Sequence, residues 1–398
     1  MRRTFAAVYV SGLLTNLPFF MIFVYTPVLA EDLGATNFQV GLLSTLYFVS
    51  SLLASYLWGG LSDVMGNRKL LPAFSCISLP VILLLLSIAG SPAQIILLNG
   101  LVGWIFPAYA SPILALVSEE VEQRERGEKL GWFNSTRSLG STIGLILAGY
   151  LVAYATLRYA FQLFALFTAF SLVPLLLIPG NIREFAVPQW NQILGQIKER
   201  MLSSKGGKHI LHEKGLIYLY SALTLRVICI VGFASFLSIY IVKELGYSQE
   251  FLAAFSAYGN GLMIVGMFFA GWIADRLGRR ITVILGFLLS GCVPIFYTLS
   301  HHLIILGLGR TLHSLGYCFA IGGITAFVGD LAGEESQGSF MGLITIFFSV
   351  GGVAGPVIMG SLLGYLGYSK MGVLMSLFAF SALIMTIAKV EEPLPSFE

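Results

Sequence analysis

The 398-residue chain is 57% hydrophobic and 11% charged, with a mean hydropathy of +0.85 and a formal net charge of +3. A soluble domain carries about 25% charged residues, so a water-soluble fold would leave this much apolar surface uncovered, and lipid must be the solvent for most of it. Cys76, Cys229, Cys292 and Cys318 all fall inside apolar runs with no CxxC pair, which excludes a disulfide scaffold or cysteine-metal reading in favour of small buried hydrophobes.

A membrane-spanning helix needs about 20 mostly apolar residues. In chain order, twelve stretches qualify: 5–29, 39–61, 70–90, 93–117, 130–153, 159–180, 215–241, 249–273, 281–299, 303–328, 338–365 and 371–389. They are continuous rather than alternating, which argues against a β-barrel. Helices satisfy their own backbone hydrogen bonds in lipid. The start, "MRRTFAAVYVSGLL", runs into an apolar stretch too long for a signal-peptide core and has no small-residue cleavage site, so the first stretch reads as a retained span.

Basic residues set the orientation. With the N-terminus cytoplasmic, seventeen of the 23 Lys and Arg lie inside, three (Arg158, Lys243, Lys370) lie outside, and three (Arg137, Arg226, Arg310) lie within spans. Both termini are therefore expected in the cytoplasm, in a cytoplasmic (inner or plasma) membrane. The longest connection divides the spans six and six. It implies a first bundle at 1–182, a linker at 183–214 and a second bundle at 215–398. Within the linker, Trp190, Ile193, Leu194, Ile197 and Met201 share one helical face, the pattern of an interfacial helix on the inner leaflet or of a solvated linker.

The halves repeat. At an offset of 212, Gly59 and Asp63 recur as Gly271 and Asp275, Gly66 and Arg68 as Gly278 and Arg280, and Leu33-Gly34 as Leu245-Gly246. At 211, Gly127, Gly131, Gly140, Gly144 and Gly149 map onto Gly338, Gly342, Gly351, Gly355 and Gly360, and Glu119 onto Asp330. Six spans per copy imply a parallel repeat related by an axis along the membrane normal.

Twelve spans in two parallel halves, with "GWIADRLGRR" at 271–280, resemble the major facilitator superfamily, whose loop motif is G-x-x-x-D-R-x-G-R-R. Here the second copy is complete: Gly271, Asp275, Arg276, Gly278, Arg279 and Arg280. The first keeps Gly59, Asp63, Gly66, Arg68 and Lys69, with Val64 and Asn67 replacing basic residues. The resemblance implies an all-α fold of two six-helix bundles and a latch of the outward-open state. In that latch the loop arginines bridge to Asp330 and Glu119, with Arg126 a further member. Asp275 is expected to accept from a neighbouring helix N-terminus, where the dipole favours an anion. A second family pattern, motif C of antiporters, is partly present. Gly131, Gly140, Gly144 and Gly149 are spaced correctly, but Leu145 replaces its proline, and the intact pair Gly355-Pro356 sits in the eleventh span. Small residues at this spacing also pack helices closely without antiport.

Every Asp and Glu lies in a loop, a terminus or a span end. A cation within a span is costly and needs a partner or a wet cavity. Arg226 sits near the middle of the seventh span and Asn16 at similar depth in the first. The family places its substrate between the halves, lined by helices 1, 4, 7 and 10, so Arg226 reads as an anion or hydroxyl contact, with a structural salt bridge or carbonyl clamp as the alternative, although no acid at mid-depth is there to pair with it. Arg310 and His313 in the tenth span, with Asn99, Tyr25, Tyr240 and Asn260, complete the expected lining. His313 is equally read as a packing histidine and Arg310 as a residue snorkelling to the headgroups. Arg137 in the fifth span, near Asn134 and Glu128, is read as part of a cytoplasmic gate or of the loop cluster.

No Walker A loop, Rossmann glycine run, HExxH or metal-ligand spacing is present, so no cofactor, enzymatic activity or nucleic-acid partner is expected. The resulting expectation is a monomeric secondary transporter of a small organic solute, working by alternating access on ion or solute gradients. It is either a proton-linked exporter or a carrier of an anionic or polar metabolite, running as uniporter, antiporter or proton-linked through His313. A non-transporting membrane sensor and a lipid flippase are the remaining alternatives.

Overall fold

The computed structural model describes residues 2–65, 68–119, 123–177, 215–299, 302–331 and 337–392. The linker helix expected at 190–201 lies outside them. The described chain is helical, with no strand. Its elements are α1 (Arg2–Asp32), α2 (Asn37–Met65), α3 (Leu70–Ile88), α4 (Pro92–Glu119), α5 (Gln123–Tyr154), α6 (Leu157–Ala169) and the short α7 (Leu172–Leu176). There follow α8 (Leu216–Ile239) with a π-helical turn at Tyr240–Glu244, α9 (Gln249–Leu277), α10 (Arg279–Leu299), α11 (Leu303–Leu331) and α12 (Gln337–Lys389).

Among the described residues eleven helical segments are long and apolar enough to cross a membrane, α6 and α7 together making the sixth. The last, Phe340–Lys389, is 50 residues long and would overrun any bilayer. It breaks at Gly367, where φ is 69° and ψ is 168°. Glycine tolerates that left-handed φ and other residues rarely do. The break yields two spans and accounts for the eleventh and twelfth stretches of the sequence.

The chain forms two compact units. One comprises Met1–Gln39, Leu46–Lys198 and Tyr247–Ala257. The other comprises Val40–Thr45, Glu199–Gly246 and Tyr258–Glu398. Each unit therefore includes one helix start that the sequence division at 183–214 assigned elsewhere. In the first unit, Tyr25 Oη donates to Gln249 O at 3.0 Å. In the second, Ser235 Oγ bonds Ser44 Oγ at 2.9 Å and Thr45 Oγ1 donates to Val353 O at 3.1 Å.

The internal architecture of the two units repeats residue by residue. A β-carbon added at Gly140 or Gly144 of α5 would collide with the backbone oxygens of Leu13 and Leu17 of α1. One added at Gly351 or Gly355 of α12 would stand 2.7 and 2.5 Å from Thr224 O and Ile228 O of α8. Each contacted carbonyl moves by the same offset, 211, as the glycine that faces it. Tyr9 Oη donates to Lys129 O at 3.3 Å, and at that offset Tyr220 Oη donates to Phe340 O at 2.9 Å. Gly34 and Gly246, a pair at offset 212, close α1 and the α8 segment with φ of 85° and 71°. Small residues where backbones touch give helices in lipid van der Waals contact, which must replace the hydrophobic force that lipid does not supply.

Candidate functional site

The expected site residues fall in both units. In the first unit Asn16 is buried on α1. Its Nδ2 donates to Gly12 O at 2.8 Å, and its Oδ1 accepts from Arg137 Nε at 3.4 Å. The Arg137 guanidinium lies 5.7 Å from the Phe133 ring centroid. Arg137, read from the sequence as part of a cytoplasmic gate or of the loop cluster, thus has Asn16 of α1 as a neighbour. Tyr25 and Asn99 are also buried in this unit, but no bond links them to Asn16.

The second unit holds the denser cluster. Arg226 lies ten residues into α8, about 15 Å along its axis, and is 1% exposed. Its Nε donates to Ser290 Oγ of α10 at 3.1 Å, and Ser290 Oγ donates to Gly286 O at 2.7 Å. The Tyr317 ring of α11 stands 5.7 Å from the guanidinium carbon, a cation–π distance. Arg226 Nη2 has no hydrogen-bond partner. His313, one turn before Tyr317 on α11, is 8% exposed. It faces Arg310 and Arg226 electrostatically, and its Nδ1 also lacks a partner. Arg310 packs across α9 into the space that Gly259 leaves open. Ser314 Oγ donates to Gly259 O at 2.9 Å and fixes that crossing. Tyr240 Oη donates to Tyr297 O at 3.1 Å, and Asn260 is buried with its Nδ2 unpartnered. Sequence reasoning missed Ser290 and Tyr317. The signal for Tyr317 was its i+4 spacing from His313, which puts both on one helical face.

In the second copy of the motif the loop is held by ion pairs and by a helix cap. Arg279 bridges Asp275 and Asp330, its Nε 2.9 Å from Asp330 Oδ2. Gly278 holds φ at 101°, and a β-carbon there would meet the Glu392 carboxylate at 2.8 Å. Asp275 was expected to cap a helix N-terminus, but it is engaged by the Arg279 side chain. Glu392 does the capping. It accepts from the backbone N–H of Arg279 at 2.5 Å and of Arg280 at 3.0 Å, at the start of α10 where the dipole favours an anion. Arg280 Nη2 donates to Ile387 O at 2.7 Å, and Arg276 lies over Trp272 at 4.3 Å. Gly271 has open space around it. In the first copy Arg68 Nη1 donates to Ser62 Oγ at 2.9 Å. Gly66 lies outside the described residues, as do the side chains of Asp63, Glu119 and Arg126.

Removal of the cap gives a direct check. Glu392→Ala leaves two amide donors of α10 to solvent. That costs on the order of 1 kcal/mol and lowers the melting midpoint of the detergent-purified protein by about 2–4 °C. An unchanged midpoint would mean water caps α10 equally well.

These features define a polytopic helical membrane protein made of a duplicated six-helix unit. The profile of the Major Facilitator Superfamily matches residues 8–267 and 255–398, and the chain belongs to that family. It is 25% identical over 383 residues to the multidrug resistance protein MdtG of Klebsiella pneumoniae (strain 342), covering 92% of this chain and 88% of that protein. The same identity holds over 300 residues to MdtG of Salmonella paratyphi C (strain RKS4594), covering 73% and 71%. The fold is shared with the crystal structure of the nucleoside transporter NupG (TM-score 0.74, 13% identity, 98% and 99% of the two chains). It is also shared with the human organic anion transporter MFSD10 (TM-score 0.67, 18% identity, 97% and 99%).

Proposed function

We propose that the protein is a secondary active transporter that moves a small organic solute across the cytoplasmic membrane. The working mode is rocker-switch alternating access by the two six-helix halves. The observation that supports this most is the pairing of a duplicated, glycine-packed scaffold with cationic side chains inside the helical spans, half-buried Arg137 in one unit and fully buried Arg226 in the other. A scaffold needs no cation in lipid, and one that is kept there has a polar task. Solute movement driven by gradients fits a chain with no nucleotide-binding motif. Efflux is the direction favoured by similarity to the MdtG proteins, which are multidrug resistance proteins by name.

Proteoliposomes test this reading. They are loaded with a panel of amphipathic cations, sugars, nucleosides and organic anions, with and without a pH gradient. The expected result is saturable movement of at least one class, faster than in protein-free vesicles. A gradient of the coupled ion should drive accumulation. No movement of any class, by protein that remains folded in the vesicle, would overturn it.

A further inference from the structure

The duplication makes the second unit's charges conspicuous, because the first unit closes the equivalent helix crossings without them. At the offset of 211 that relates the packing contacts, Arg226 corresponds to Thr15, Arg310 to Asn99 and His313 to Val102. The surrounding crossings correspond as well. Gly103 of α4 meets Tyr47 of α2 at its backbone, as Ser314 of α11 bonds Gly259 of α9. Gly100 packs on Leu46 as Thr311 bonds Tyr258 at 2.9 Å. One unit closes these helix crossings with a hydroxyl, an amide and an isopropyl group. The other does so with two guanidinium groups and an imidazole. Packing therefore does not require the charges.

Nor does the second unit neutralise them internally around Arg226. The titratable groups that bear on Arg226 are Tyr317, Cys229 and Cys318, and those that bear on His313 are the two arginines. The spans that carry them hold no Asp or Glu between their ends. A buried cation with neither solvent nor counter-charge is strongly disfavoured, and here an N–H of Arg226 and a ring nitrogen of His313 are both left without partners.

We infer that the second unit binds an anion, held by Arg226 Nη2 and by His313 through Nδ1, within the field of Arg310. The fitting chemistry is a small, singly charged anionic group. Two sources share it: the carboxylate of an organic solute and chloride from the bulk. Arg226 supplies the direct charge-assisted bond. Ser290 and the Tyr317 ring hold the guanidinium in place and leave Nη2 for the ligand. The inference rests on the transport reading only for the idea that a solute enters the protein; the anion site stands or falls separately.

The test is thermal unfolding of the full-length protein in detergent, in sodium HEPES at constant ionic strength, with chloride or benzoate titrated in. The expected result is a saturable rise in midpoint of several degrees with at least one of the two. Arg226→Gln should abolish it. A rise with chloride alone identifies a resident ion, and a rise with benzoate identifies the carboxylate of a solute; both support the site. Arg226→Thr and His313→Val install the residues of the equivalent positions in the first unit and keep the test decisive if the glutamine variant does not fold. No saturable rise, or one that survives these substitutions, overturns the inference. A lipophilic cation carried equally by wild type and Arg226→Gln, with no anion response, would remove the anion site and leave the transport reading standing. An anion response in protein that moves no solute would do the reverse.

Discussion

Replacing Gly144 by valine is expected to remove most folded protein from the membrane fraction, while the same change at Gly131 leaves yield and melting midpoint unaltered. Both glycines belong to the partial antiporter pattern in α5. At Gly144 the added carbon would occupy the position of the Leu17 carbonyl of α1, whereas nothing lies within 4 Å of Gly131. Overpacking a core costs about 1–3 kcal/mol when side chains can shift. Here the obstruction is backbone, so α5 and α1 must part along the contact, and the contacts of neighbouring Gly140 go with it. Gly355→Val at the duplicate position, facing Ile228 O and the Gly232 amide, should behave as Gly144→Val does. Fluorescence-detected size exclusion of tagged variants, followed by melting of whatever elutes, reads the result. A monodisperse Gly144→Val peak with the wild-type midpoint would show that the α1/α5 contact is not where the first unit is held together.

The sequence made the scaffold legible because lipid imposes few solutions. Continuous apolar runs had to be helices, and glycines recurring at a fixed offset had to mark equivalent contacts. The contacts at Leu13, Leu17, Thr224 and Ile228 obey that offset. The twelfth helix was visible as a separate stretch although the backbone runs on from the eleventh almost without interruption, with Gly367 alone marking the division. Arg226, Arg310 and His313 could be picked out because charge at that depth is rare. What the sequence could not give was their partners. Ser290 and Tyr317 are ordinary residues in apolar helices, and only the crossing of α8 with α10 and α11 assigns them a role. The neighbour of Arg137 was hidden for a related reason. The arginine's position along α5 was clear, but the side chain turns towards α1 and Asn16, and periodicity does not fix which neighbour a helix face meets. Glu392 escaped notice because it follows the last span, where composition suggests only a polar tail. Its role depends on α10 beginning beside the end of α12.

Arg279→Ala is expected to slow solute transport roughly tenfold while moving the melting midpoint by no more than about 2 °C, a dissociation that would separate a conformational latch from a topology signal. Arg279 joins Asp275 to Asp330 with partners that are 70% and 33% exposed. Pairs so accessible to water contribute about 0–1 kcal/mol to folding, and the two together cannot decide whether the unit folds. An alternating-access carrier is sensitive on a finer scale. Its two states must lie within a few kcal/mol of each other, and about 1.4 kcal/mol removed from one of them changes their ratio tenfold. A contact too weak to matter for folding is thus strong enough to set that ratio, provided it forms in one state and breaks in the other. Basic residues that merely fix orientation act during insertion; for such a role, Arg279→Ala would leave the transport rate of correctly inserted protein untouched. Reversal of the pair completes the argument: in an Asp275→Asn background, which removes the second partner of Arg279, Arg279→Asp with Asp330→Arg conserves the 279–330 interaction but moves a positive charge from the α10 end of the loop to the end of α11. Recovery of transport in that double variant, after loss in each single one, would assign the effect to the bond. Loss in all three would assign it to the position of the charge.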